Sequence, residues 1–538
     1  MDQPTATAPT SAAIGPRAMS NLRLRLTRGH IVVAASSLFL LPNALMAPGL
    51  KLLPGLLVLV GCLGALLTIV NEVRSCRTGF LAERVDPAII ALCSLAALVL
   101  CVLGGQGHFV FANYDWLTRD AVLADLVRRG FPAFYDHHGS EFLLRAPIGM
   151  YMLPAAVGRG LGLHAAHLAL LAQNAAILAL ILSLLASMAP GRKTIFLAVF
   201  ATFSGVEILG NLLKWGLSPQ IATQAWPLHA HQHLTAWNPF FQYTNHVAQI
   251  FWVPNHAFPG WWLAALSILH IRREIRSEVL VVAFAWSLLW SPLTMAGALP
   301  IVGYLVLRHD GRELLRPRLM IGCGAALCFL PIVAYLAADG GSVPHFWPFL
   351  YDGFWSLYVL FILIQIPQAA VVASYWRRLD PPSRTLSMLA IGVLLAIPFY
   401  RLGANNDFAM RASIMPLALL AFVFASIVAQ LRLSDGGRQV AAVVVILVLG
   451  CLTPALEIQR ALILKPFAIS DCNLLTTWSL LEPDHWFANY LARSDRTPAW
   501  LVRRDGAAPA MTIEDRSCWP DHPFENLPMT AWGDAENW

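Results

Sequence analysis

Three short segments carry residues whose types and spacing suit proton transfer and anion binding. The first is Asn113-Tyr114-Asp115-Trp116-Leu117-Thr118-Arg119-Asp120. On a helix Asp115 and Arg119 share a face, while Asp120 points away. Tyr114 and Trp116 suit the aromatic belt of a membrane interface. A partly desolvated carboxylate beside an arginine suits a general base, a role that contributes ~10²–10⁴-fold to a rate. The competing reading is that Asp115 starts an amphipathic helix as its N-cap. The second segment is Phe251-Trp252-Val253-Pro254-Asn255-His256-Ala257-Phe258-Pro259-Gly260, where two prolines flank a polar pair. Such a loop fixes side chains in position; the competing reading is a helix start capped by Asn255. The third is Gly403-Ala404-Asn405-Asn406-Asp407-Phe408-Ala409-Met410-Arg411, which runs on into an apolar stretch. The rigid donor fork of Arg411 suits a phosphate. The competing reading is an Asp407–Arg411 ion pair on one helix face.

The region 213–258 adds Lys214 and several histidines. His229-Ala-His231-Gln-His233 resembles a run of metal ligands. Its spacing fits neither one helix face nor a zinc pattern, and the region holds no carboxylate. A hydrated loop is the expectation, with His229, His231 and His233 as weak metal candidates. Seven of the nine cysteines lie in or beside apolar runs and read as small core residues. Cys472 and Cys518 lie in the polar tail and are free to form a disulfide if that tail is outside the cell.

The elements that position these residues follow from composition. The chain has 538 residues, 57% hydrophobic and 13% charged. A soluble domain carries about 25% charged residues, so this chain's main solvent is lipid. The arginines are spread over short loops, which argues against a nucleic-acid surface. The Arg, Ala and Leu bias is that of a GC-rich bacterial genome. Candidate spans are 31–47, 52–70, 87–104, 165–188, 194–212, 259–271, 279–292, 294–307, 319–337, 353–375, 386–400, 412–431 and 440–457, about thirteen in all. Residues 279–307 are split at Ser291-Pro292, because only then do basic loops alternate with arginine-poor ones. The basic segments are the N-terminus (1–30), 71–86, 190–193, 272–278, 308–318, 376–385 and 432–439. The opposite face receives 105–164, 213–258, 338–352, 401–411 and the tail, 458–538. The expected placement is a bacterial inner membrane, with the N-terminus cytoplasmic and the tail periplasmic. Residues 115–129 show amphipathic helix spacing, and 143–161 reads as an interfacial or re-entrant helix.

The layout resembles the GT-C superfamily of polyprenyl-phosphate-sugar-dependent glycosyltransferases. The resemblance rests on an acidic residue in the first large outer loop, Asp115 in NYDWLTRD, followed by interfacial helices. It rests also on the multi-span bundle with an outward tail, and on WVPNHAFPG and NNDFAMRASIMP. One departure is that the acidic loop, which usually follows the first span directly, here has two additional spans before it. The resemblance implies an all-α polytopic fold over 31–457 and an inverting sugar transfer at the periplasmic face. The donor would be a polyprenyl-phosphate sugar and the acceptor an envelope glycan or lipid. Asp115 would be the base, and Arg411, with Lys214 or His256, would hold the leaving phosphate. Arg119, Asp120, Asn255, Asn406 and Asp407 would complete the substrate site. No cofactor is fixed, but some members use a divalent metal, for which the histidines offer ligands. The alternatives are a transporter or flippase, or a non-catalytic subunit of polysaccharide assembly. The near lack of charge within the spans and of any repeat favours an enzyme.

Overall fold

Apolar runs punctuated by proline, glycine and short polar turns become helices along the whole chain. The computed structural model describes residues 26–76, 78–217, 233–238, 240–311, 315–403, 406–432, 436–481, 489–504 and 508–520. By length and composition, seven helices can cross a membrane: Arg28–Gly49, Leu52–Ser75, Leu163–Met188, Pro317–Ala337, Pro381–Phe399, Asp407–Gln430 and Gly437–Ile463. An eighth crossing arises if Phe354–Gln365 and Gln368–Ser374, bent by 66°, act as one broken span. The chain is therefore an α-helical, polytopic membrane protein.

Among the described residues these helices do not confirm the expected count of about thirteen spans, since several of the candidates are short or interrupted. Pro87–Leu103 and Ser277–Ser287 are apolar but short. The candidate 194–212 divides into Lys193–Ala201 and Glu207–Leu217. The expected break before Pro292 is present: Ser291 caps the helix Pro292–Asp310, its hydroxyl accepting from the Thr294 N–H at 3.3 Å.

Burial separates lipid-facing helices from the core. Leu52–Ser75 exposes Leu52, Leu53, Val60, Leu63 and Leu67, a face that only a hydrocarbon environment suits. Pro254–Ile271 and Ile414–Gln430 are buried along almost their whole length and pack against each other. A helix apolar on all sides belongs inside other helices.

The basic loops meet at one end of the bundle. There Arg28 pairs with Glu83 at 2.6 Å and Arg276 with Glu72 at 2.9 Å. Arg272 donates to the Met188 carbonyl at 2.9 Å, and the Arg192 N–H to that of Ala429 at 3.2 Å. The first large loop and the tail meet elsewhere and form one unit. Strands Phe134–His137 and Ser140–Leu144 pair antiparallel, with Phe134 opposite Leu143. Leu491–Arg493 of the tail adds a third antiparallel strand, Phe142 facing Arg493. The tail helix Leu474–Leu481 packs on Asp115–Arg129, and Cys472 is disulfide-bonded to Cys518.

Two expectations change here. The helix over 115–129 forms, but Trp116–Leu126 are all buried, because the tail covers the side that would otherwise face water. Residues 143–161 are not one interfacial helix. They hold the end of a strand, then Gly149–Leu161, packed between Asp115–Arg129 and Leu163–Met188.

Candidate functional site

The Asp115 helix begins where Asn113 folds back on it. The Asn113 Oδ1 accepts from the Asp115 N–H at 3.1 Å, and its Nδ2 donates to the Phe251 carbonyl at 2.7 Å. The Trp116 indole donates to that same carbonyl at 2.8 Å. The start of this helix is thus tied to the segment leading into Asn255 and His256. Asp115 is the first helical residue and not its N-cap, which is Tyr114. Asn255 is likewise not a cap: Pro254–Ile271 starts from Val253, and Asn255 lies within its first turn.

The three sequence segments meet in one chain of hydrogen bonds. Arg119 donates through Nη2 to Asp115 Oδ2 at 3.0 Å and through Nη1 to Asn255 Oδ1 at 2.9 Å. Nη1 also lies 3.4 Å from the Tyr151 hydroxyl. Asn255 then donates through Nδ2 to His256 Nε2 at 3.2 Å. The Arg411 Nε–H donates to the same nitrogen at 3.0 Å. Arg411 pairs through Nη1 with Asp407 Oδ1, and Asp407 Oδ2 accepts from Asn489 of the tail at 2.9 Å.

Donor and acceptor types fix the states along this chain. Arginine only donates, so His256 Nε2 carries a lone pair and its proton sits on Nδ1. That nitrogen lies 2.7 Å from Ser291 Oγ and donates to it. Ser291 passes the bond on to Thr294 Oγ1 at 2.6 Å. His256 is therefore neutral and fully engaged. As a phosphate ligand it has no donor to offer; it orients Arg411 instead.

Charge and exposure are graded along the chain. The Arg119 side chain is 4% exposed and that of Asp115 is 36%. Burial lowers the Arg119 pKa, but Tyr151, Asp115 and Tyr490 outweigh it, so the net shift is upward and the guanidinium stays charged. The tail residue Tyr490 is buried among Arg119, Asp115, Arg411 and Asp407. Desolvation, the largest influence, pushes its pKa up and keeps it a neutral phenol. The two carboxylates and two guanidiniums sum to zero charge. Asp115 Oδ1 and Arg411 Nη2 make no hydrogen bond among the described residues.

The remaining candidates lie elsewhere or are otherwise occupied. Asp120 is directed away from the chain, as the helical spacing implies, toward His108 and His167. Asn406 caps Asp407–Ala412, accepting from the Ala409 N–H at 3.4 Å and donating to the Phe240 carbonyl at 2.5 Å. Both ends of its amide hold the loop. Lys214 sits on Glu207–Leu217, which packs against Phe354–Gln365 and Gly437–Gly450 and not against the Asp115 helix. His229 and His231 lie outside the described residues. His233 is 3.0 Å from Glu457 through Nδ1, while its Nε2 faces Thr235 and Gln242. Both its ring nitrogens are taken, so His233 has none left for a metal.

Sequence reasoning missed the groups that close the site. Tyr151 comes from a helix read as interfacial. Asn489 and Tyr490 come from a tail whose docking no local pattern announces. The buried network of Glu457 with His233, Arg460 and Trp252 was equally hidden. No family model, no curated protein and no solved structure matches this chain.

Proposed function

We propose that the chain is a membrane glycosyltransferase that moves a sugar from a polyprenyl-phosphate donor to an envelope glycan or lipid hydroxyl, in the manner of GT-C enzymes. One observation carries the reading: a partly exposed carboxylate and an arginine from distant segments share one hydrogen-bond chain whose middle is buried. A transferase of this kind needs a base for the acceptor and a cation for the leaving phosphate, held in fixed relation.

In this reading Asp115 takes the proton of the acceptor hydroxyl as its oxygen attacks the anomeric carbon from the face opposite the phosphate. The bond from that carbon to the phosphate oxygen breaks with its electron pair. Arg411 meets the charge that grows there. Arg119, Asn255 and His256 keep the base and the cation in register. The disulfide Cys472–Cys518 suits an oxidising compartment, which supports a periplasmic site and basic loops in the cytoplasm.

The test is glycan and lipid analysis of a deletion strain complemented with wild type, Asp115→Asn or Arg411→Ala. One sugar substituent should vanish on deletion, return with wild type and stay absent with Asp115→Asn. Full transfer by Asp115→Asn at equal membrane abundance removes the base assignment. An unchanged donor requirement in Arg411→Ala removes the phosphate assignment.

A further inference from the structure

Behind the Asp115–Arg119 face lies a second polar cluster with different chemistry. Asp120 is five residues past Asp115, about 140° around the helix, and its side chain is 4% exposed. Two histidines converge on its carboxylate. His108 comes from the turn after Pro87–Leu103, in a left-handed backbone conformation (φ 60°). His167 comes from the first turns of Leu163–Met188. His108 Nε2 lies 3.0 Å from Asp120 Oδ2, and His167 Nδ1 lies 3.8 Å from Asp120 Oδ1. One ligand atom from each of the three residues falls within 4.8 Å of the others. The two imidazole rings meet edge to face, with centroids 4.9 Å apart.

The hydrogen bonding of this cluster is incomplete without a cation. His108 Nδ1 lies 3.0 Å from the Phe467 carbonyl oxygen. A carbonyl only accepts, so Nδ1 carries hydrogen, and the neutral ring turns the lone pair of Nε2 toward a carboxylate. Two acceptors at that distance repel unless a positive species stands between them. A proton on Nε2 relieves only one contact. Asp120 Oδ1 and His167 Nε2 would remain buried without hydrogen-bond partners, and 3.8 Å is too long for a bond between Oδ1 and Nδ1. A metal ion among the three takes one donor atom from each residue and removes the repulsion between the acceptors of His108 and Asp120.

We propose that His108, Asp120 and His167 form a binding site for a zinc-class divalent transition metal. Two imidazoles and a carboxylate are a donor set that zinc-class ions favour over magnesium or calcium. The Phe467 carbonyl is the outer partner that fixes the ring of a metal-ligating histidine. The ion joins the Asp115 helix, the turn at His108, the helix Leu163–Met188 and, through Phe467, the tail. Its three ligands are positioning residues, since they set where Asp115 and Arg119 stand without touching substrate. The site does not depend on the glycosyl-transfer reading.

The full-length chain, purified in detergent without a histidine tag, is stripped with a chelator, reloaded with Zn²⁺ or Co²⁺ and desalted, then assayed for bound metal. Wild type should keep one ion per chain. Asp120→Asn and His167→Gln should weaken retention by more than the ~10–100-fold that an outer-shell partner commands. His138→Gln, on the exposed hairpin, should keep it. If the ligand variants do not fold, the visible spectrum of Co²⁺-loaded wild type decides. Ligand-field bands of a low-coordinate nitrogen–oxygen site support the proposal, and the spectrum of the hydrated ion overturns it. Metal no higher than buffer in wild type, or equal retention in Asp120→Asn, also overturns it.

Discussion

Replacing Arg119 with methionine tests whether the hydrogen-bond chain is one unit. Methionine is unbranched and adaptable, so it fills much of the space left by the arginine stem. What disappears are the bonds to Asp115 Oδ2 at 3.0 Å and to Asn255 Oδ1 at 2.9 Å. Asp115 is 36% exposed, so water replaces much of what it loses, and that pair is worth about 1 kcal/mol. Asn255 is 2% exposed; its oxygen stays dry and unpaired, at a cost of about 1–3 kcal/mol. The expected loss is therefore about 2–4 kcal/mol, read as the shift in an SDS or thermal unfolding curve of the purified protein in micelles. Asn255→Leu removes the orphaned oxygen, so the double variant Arg119→Met/Asn255→Leu should be less destabilised than the two single losses added together. Additivity within ~0.5 kcal/mol, or a single-variant loss well below 1 kcal/mol, would refute the chain as a cooperative unit.

Two further outcomes follow from named contacts. Asp125 is fully buried; desolvation pushes its carboxyl up to about 7, against the opposing hydrogen bonds of the Leu474 N–H and the Tyr135 hydroxyl. Its folded pKa exceeds its unfolded one, so its contribution is complete below about pH 4 and is lost as pH rises through about 7. Tail docking, read by limited proteolysis after Leu474, should loosen progressively from about pH 4 to about pH 7 and change little above that, and Asp125→Asn should flatten the profile; an unchanged profile in that variant counts against the assignment. Gly297 faces the end of Asp407–Ala412, and a Cβ there would stand 2.0 Å from the Ala412 carbonyl oxygen. Backbone cannot yield as a side chain does, so Gly297→Ala should cost about 1–3 kcal/mol and displace Arg411, lowering activity and unfolding temperature together. Wild-type values for both would show that the helix has room to move.

The membrane class was legible in composition, and so was the juxtaposition of Asp115, His256 and Arg411, but for different reasons. Spans are written locally: an apolar run of sufficient length needs no partner to be recognised. The number of crossings is less legible, because several apolar runs form helices that are short, bent or interrupted. Pro254–Ile271 satisfies the apolar pattern by packing against Leu163–Met188 and Ile414–Gln430. The three polar segments stood out because each interrupts hydrophobic sequence at the mouth of a helix. A polar group there must find partners or lose solvation, and the partners nearest to hand are one another.

The roles within that cluster were less legible than its membership, and hydrogen-bond direction explains why. From sequence, His256 is one more cation for a phosphate. In the structure its Nε2 already receives the Arg411 Nε–H, and its Nδ1 faces Ser291, 35 residues away. That bond forces the neutral form and turns a candidate ligand into a support. Ser291 was visible only as the break before Pro292; the same residue that caps a helix also fixes the tautomer of His256. Asp120 reverses the case. Its neighbours in sequence suggested a share in the substrate site, whereas His108 and His167, 12 residues before it and 47 after it, give it a separate chemistry. In both instances the deciding atoms come from other segments. Spacing along one helix identifies a face, but only tertiary contact says whether that face meets substrate, another side chain or an ion.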